Sequence, residues 1–243
     1  MNRRKTLKVL STLPLLSTLG FGKALCIGDI GLSTGTLPEV FVLGDSISIH
    51  YGPYLERLLS GWARYSRKQA ETINGLKVGA NGGNSKLALD YLKLKLADPA
   101  FKPDVVLLNF GLHDIKREVP VNQFQVSIQD YRRHLRESIA LLFDRNIGVV
   151  WVSITPVVDE IHNSRVTAFK RFSADVDTYN AAADQLCASL NVPIVDLFTF
   201  TSQLPERPET KYIDNVHYNE NTRILQASYI AGYLQCLFGR ESL

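Results

Sequence analysis

The sequence predicts an α/β protein in three layers, a central, mainly parallel five-stranded sheet with helices on both faces. Short, continuously apolar and β-branched runs recur at 40–43 (Val-Phe-Val-Leu), 105–108 (Val-Val-Leu-Leu) and 149–152 (Val-Val-Trp-Val), with weaker runs at 76–78 and 192–195. Runs of this length without polar alternation suit strands buried on both faces. Longer stretches with helical spacing separate them, at 54–70, 85–96, 122–145, 166–190 and 220–238. Strand and helix in alternation argue for a parallel sheet covered on both sides. In such a sheet, ligands collect beyond the carboxyl ends of the strands.

Taken in order, each run leads into a segment with its own meaning. The first strand runs into Gly44-Asp45-Ser46. The second, at 76–78, is followed by Asn81-Gly82-Gly83-Asn84-Ser85, which opens the 85–96 helix. The third ends at Gly111-Leu112-His113-Asp114. The fourth carries Trp151, read as core, and then a polar loop with His162, read as solvated, with substrate contact as the other reading. The fifth leads to a loop holding Asp214 and His217, immediately before the last helix. Four separate segments therefore meet at one sheet edge.

The first residues are basic, with Arg3, Arg4, Lys5 and Lys8, and lead into an apolar run at 9–20 and then Gly22-Lys23-Ala24. A basic region, a short apolar region and small residues describe an export signal, here 1–24, rather than a membrane span. Arg3-Arg4 followed by Leu7-Lys8 resembles a twin-arginine signal, with Thr6 where that pattern has an aromatic residue. A short lead (25–37) and one catalytic domain (38–243) make up the rest, and the expected location is the bacterial periplasm or the extracellular space. Removing the signal takes five of the 27 basic residues and none of the 24 acidic ones, which leaves a small acidic excess. The pI of about 8.7 is thus no warrant for a nucleic-acid partner. Arg132-Arg133-His134 reads as a solvated helix face. Three cysteines, Cys26, Cys187 and Cys236, are too few for a disulfide framework and lack zinc spacing. Two readings stand for Cys187 and Cys236, a disulfide or two free thiols. Leu25 precedes Cys26 where a lipid-attachment signal has a small residue, which disfavours a lipid anchor.

The chemistry lies at the shared edge. A hydroxyl is a poor nucleophile at neutral pH, so a catalytic serine needs an imidazole to take its proton and a carboxylate to fix the imidazole's tautomer. Ser46, His217 and Asp214 supply these three groups. Asp45 and Ser46 also read as a helix cap, since both types are favoured there. Gly44 is read as giving freedom for a tight turn. Acyl transfer further needs donors for the oxyanion, and the backbone N–H groups of Ser46 and Gly83 are candidates, with His113 as the third. Asp114 reads as structural. His50, four residues after Ser46, is expected on the surface of the first helix, with a place lining the cleft as the other reading. Tyr51, Tyr212 and Tyr218 are read as able to stack on a sugar or wall an acyl pocket. No metal-ligand cluster or phosphate loop is present in the sequence.

On these residues the chain resembles the SGNH/GDSL hydrolase superfamily from about Glu39 to Phe238. Gly44-Asp45-Ser46 is similar to its nucleophile block, Asn81-x-Gly83-x-Ser85 to its glycine block and Asp214-Asn215-Val216-His217 to its Asp-x-x-His block. The third block departs from the pattern: Gly-x-Asn-Asp is usual, and here His113 stands in the place of the asparagine. The resemblance implies a flavodoxin-like fold, Ser46 as nucleophile, His217 as base, Asp214 as its partner and Gly83 as oxyanion donor, without a cofactor or metal. The expected function is an exported serine esterase acting through an acyl-serine, most simply deacetylating a carbohydrate. A lipid or short-chain aryl-ester esterase, an O-acyltransferase and a silent carbohydrate-binding relative are the alternatives. The expected partner is a small-molecule or polysaccharide ester, with no nucleic acid and no stable membrane span.

Overall fold

A computed structural model of the protein describes residues 36–239. The expected export signal and Cys26 lie outside these residues. Strands are β1 (Glu39–Gly44), β2 (Arg64–Arg67), β3 (Glu71–Ile73), β4 (Leu76–Val78), β5 (Val105–Asn109), β6 (Arg117–Glu118), β7 (Gly148–Val152), β8 (Phe169–Lys170) and β9 (Ile194–Val195). Helices are α1 (Ser46–Leu59), α2 (Ser85–Leu96), α3 (Ile128–Phe143), α4 (Asp159–Arg165), α5 (Ser173–Ser189), α6 (Leu197–Gln203), α7 (Pro208–Lys211) and α8 (Glu220–Leu237).

Five strands form one parallel sheet in the order β2-β1-β5-β7-β9. Its central members are β1, β5 and β7, and nearly every residue of these three is buried, which is why their sequences are apolar without alternation. Helices α1, α6 and α8 pack together, as do α2, α3 and α5, one set for each face. The chain leaves β1 for β2 on one side and later returns to β5 on the other. Neighbouring connections therefore diverge between β1 and β5, where Gly44 pairs with Asn109, the position at which ligands collect in sheets of this kind. Trp151 is fully buried against the edges of Phe110 (5.1 Å between centroids) and Tyr131 (6.5 Å).

The second strand of the sheet differs from expectation. Residues 76–78 pair antiparallel with β3 in a hairpin apart from the sheet, with Leu76 exposed. The sheet's edge is instead β2, Arg-Tyr-Ser-Arg, which pairs on one side only and is not enclosed by apolar neighbours. Helix α1 also starts earlier than its periodicity suggests, because Asp45 caps it by accepting from Ile47 N–H at 2.9 Å. Helix α5 starts later, since 166–172 is taken up by a connection containing β8. His134 is not on a solvated face: it is buried and bonded to Ser85 Oγ at 2.8 Å, while Arg132 and Arg133 are exposed.

Cys187 and Cys236 are both free thiols, the first buried in α5 and the second exposed on α8. Burial, with Asp184 nearby, pushes the Cys187 thiol up to about 12. Iodoacetamide at mildly alkaline pH should therefore modify Cys236 in the folded protein and spare Cys187 until denaturant is added, as read by peptide mass spectrometry. Equal modification of both without denaturant would contradict this packing.

Candidate active site

Ser46 is the first residue of α1, immediately beyond the end of β1. The two elements meet so closely that a Cβ on Gly44 would lie 2.7 Å from Ser48 Oγ and 3.2 Å from Asn109 Cβ. Gly44 is thus required by close approach and not, as its tight-turn reading suggested, by an unusual backbone angle. Ser48 Oγ donates to Asp45 O at 2.7 Å, tightening the same turn. Burial pushes the Asp45 carboxyl up to about 6, against the opposing pull of the Ile47 N–H and of Arg171.

His217 and Asp214 come from the loop before α8, which Ile213 N–H closes by donating to His217 O at 2.9 Å. Asp214 divides its oxygens between two tasks. Oδ1 accepts from Val216 N–H and His217 N–H, both at 2.8 Å, and Oδ2 lies 2.6 Å from His217 Nδ1. Burial works to raise the Asp214 carboxyl, but these three donors outweigh it and hold it below the usual carboxylate range. An ionised carboxylate only accepts, so Nδ1 carries the imidazole proton and Nε2 is left as acceptor. Nε2 lies 2.7 Å from Ser46 Oγ. The structure thus brings Ser46, His217 and Asp214 into one hydrogen-bonded chain across 171 residues of sequence.

The surroundings of this chain hold residues whose burial sequence reasoning missed. His162 is fully buried in α4, not solvated, and its Nδ1 lies 3.1 Å from Asn215 Nδ2 behind the Asp214–His217 loop. Arg165 donates to Asp214 O from the same helix. Tyr212 and Tyr218 both donate to Pro156 O at 2.8 Å, and Tyr51 is fully buried. Tyr212 and Tyr218 fasten the scaffold, Tyr51 packs in the core, and none of the three presents a ring to a substrate. His50 is half-buried rather than on the surface, with its ring centroid 4.6 Å from that of His217. Burial, with His217 and Arg223 near, lowers it to about 4.

Of the expected oxyanion donors, Ser46 N–H lies in the first turn of α1, where helix geometry leaves backbone donors without intrahelical partners. The glycine block is pinned beside it: Gly82 N–H donates to Gly44 O at 2.9 Å, so close that a Cβ on Gly82 would lie 2.8 Å from that oxygen. Gly83 N–H donates to Asn81 Oδ1 at 2.8 Å and is therefore a shared donor. Asp114 accepts from Ser85 N–H with both oxygens at 3.0 Å, tying the third block to the start of α2. Burial holds the His113 imidazole at about 3, with Lys116, Arg171 and His217 acting in the same direction. Arg171, 3% exposed, donates from Nε to Leu112 O at 2.5 Å. No sequence signal separates this arginine from an ordinary surface one. Among the described residues no group of three or more His, Cys, Asp or Glu is placed to hold a metal ion, and no helix is long and apolar enough to cross a membrane.

The model of the GDSL-like lipase/acylhydrolase family matches residues 42–222, which span every segment of this site. The chain belongs to that family. It is accordingly a carboxylic ester hydrolase. Solved structures share the fold of this family member at low identity. A lipase/acylhydrolase from Enterococcus faecalis is 16% identical with a TM-score of 0.65, over 85% of this chain and 100% of that one. A mutant acetyl-xylooligosaccharide esterase from Geobacillus is 17% identical with a TM-score of 0.61, over 85% and 96%. A GDSL-like lipase from Bacteroides thetaiotaomicron is 15% identical with a TM-score of 0.59, over 82% and 88%. No curated protein matches the sequence.

Proposed function

We propose that the protein is an exported serine esterase that removes acetyl groups from a carbohydrate, with Ser46 as nucleophile. The carrying observation is the Ser46–His217–Asp214 chain, with its imidazole tautomer set by Asp214. His217 Nε2 takes the Ser46 proton as Oγ attacks the ester carbonyl. The tetrahedral oxyanion is met by Ser46 N–H, Gly83 N–H and His113. Collapse expels the sugar alkoxide, which takes the proton from His217 and leaves acetyl-Ser46. Water, deprotonated by His217, then attacks the acyl carbon, and acetate and free Ser46 follow.

Two observations support the carbohydrate. The fold is shared with an enzyme described as an acetyl-xylooligosaccharide esterase. A cleft of about 800 Å³ is lined by Asn84, Asn122, Gln123 and Gln125 together with the charged Lys86, Asp130 and Arg133, and Asn84 adjoins Gly83 in sequence. Amide side chains of this kind offer both donors and acceptors to sugar hydroxyls. None of the three triad residues lines that cleft, so it suits the distal part of a chain rather than the ester itself. Export is supported by the composition of residues 1–24.

A serine-reactive phosphonate should form an adduct on Ser46, and acetylated polysaccharides should be turned over in preference to p-nitrophenyl esters of long acyl chains. No adduct, with no ester hydrolysis by folded protein, would sink the enzyme mechanism. Preference for long acyl chains would replace the carbohydrate with a lipid, and acetyl transfer to an added sugar in place of water would make the protein a transferase.

A further inference from the structure

We propose that Lys116 is a positioning residue that fixes the tautomer of His113, so that Nε2–H is the imidazole's donor to the oxyanion. The inference rests on the acyl-serine mechanism above. An asparagine in this place always presents an N–H₂ group. A neutral imidazole presents a donor at only one of two nitrogens, and in the wrong tautomer it would turn a lone pair toward developing negative charge. A histidine here therefore needs a neighbour that decides where its proton sits.

Lys116 Nζ lies 3.1 Å from His113 Nδ1. An ammonium donates and cannot accept, so Nδ1 is the acceptor of this bond and the ring proton is confined to Nε2. Nε2 has no hydrogen-bond partner among the described residues and is not among the buried polar atoms left without one, so it is reached by solvent. The doubly protonated ring, which would donate from both nitrogens whatever its neighbours, is suppressed by burial and by the Lys116 and Arg171 cations. The selection is also built into the backbone. Lys116 N–H donates to His113 O at 3.2 Å and Ile115 N–H to Gly111 O at 3.0 Å, a tight turn that sets the two side chains side by side. From the other side, Lys116 Nζ rests over the Phe169 ring at 4.8 Å, a ring that Arg171 also covers at 5.0 Å. Among the described residues Lys116 makes no salt bridge to a carboxylate, and His113 Nδ1 is the only side-chain hydrogen-bond partner of its ammonium.

Long-range proton–nitrogen NMR on histidine-labelled protein reads the tautomer directly, with the His113 signals assigned by their loss in His113→Asn. The expected result is the Nε2–H form in the native protein and a tautomer mixture in Lys116→Met. In the same variant kcat should fall about tenfold or more with KM little changed, and Lys116→Arg should recover most of the loss. In a His113→Asn background, Lys116→Met should cost almost nothing, because an amide has no tautomer to choose. An Nδ1–H ring in the native protein would overturn the inference. So would an equal loss of kcat in both backgrounds, which would make Lys116 a general electrostatic contributor. Phosphonate labelling of Ser46, run in parallel on native protein, tests the acyl-serine mechanism separately from the tautomer.

Discussion

Replacing Ser46 by alanine should lower kcat on the order of 10⁴- to 10⁶-fold, and replacing His217 by alanine should cost a similar amount. The double variant should be no worse than either single one. In the proposed mechanism the hydroxyl reacts only through the base 2.7 Å away, and that base has no other proton to take in the first step, so each residue is useless without the other. What survives is the contribution of the oxyanion donors and of binding, which neither substitution touches. Ser46 is partly buried and its side chain makes one hydrogen bond, to His217, so its loss should change stability by no more than about 1.5 kcal/mol. Steady-state kinetics with a chromogenic acetyl ester, alongside thermal unfolding, checks both parts. Two single losses that multiplied in the double variant would mean that Ser46 and His217 act independently, against the hydrogen-bonded chain.

Gly111→Ala should be the most destabilising small change near the site. Gly111 has φ +139, a region that residues with a Cβ rarely adopt, and an added Cβ would lie 2.2 Å from Ile154 Cδ1 and 2.6 Å from Ile154 Cγ1. Backbone strain and overpacking together are expected to cost about 2–5 kcal/mol. At roughly 2–4 °C per kcal/mol for a domain of this size, the shift in Tm is easily measured. Gly79→Ala is the matched control, because a Cβ there meets nothing within 4 Å, and it should leave Tm almost unchanged. The Gly111 variant should also lose activity beyond its loss of folded protein, since the residue leads directly into Leu112 and His113. An unchanged Tm would show that Ile154 gives way without cost.

The sheet was legible where burial is complete. β1, β5 and β7 are enclosed on both faces and had to be apolar throughout, so their runs stood out. β2 has one open edge and only half the constraint, and Arg-Tyr-Ser-Arg carries no pattern that marks a strand. Leu76 and Val78 alternate with polar Lys77 as a sheet strand does, yet a hairpin uses the same alternation. In the site, the blocks around Ser46, Gly83 and Asp214 were visible because close backbone approach and capping permit few residue types. Arg171 and His162 were not visible, because a polar side chain among polar neighbours looks solvated until the element packed over it is known. Lys116 stood three residues after His113 in the sequence, but that spacing gains meaning only once both are seen in one tight turn.

The hydrogen bond from Ser46 to His217 joins the first helix of the fold to the loop that introduces the last. Helices α1 and α8 lie side by side, Tyr54 donates to Glu220 at 2.7 Å, and the Trp62 ring meets Phe238 edge-on at 6.3 Å. The proposed nucleophile and base are thus delivered by opposite ends of the described residues. Ester cleavage therefore needs the loop before α8 to be seated beside α1, and activity reports that these two elements have docked.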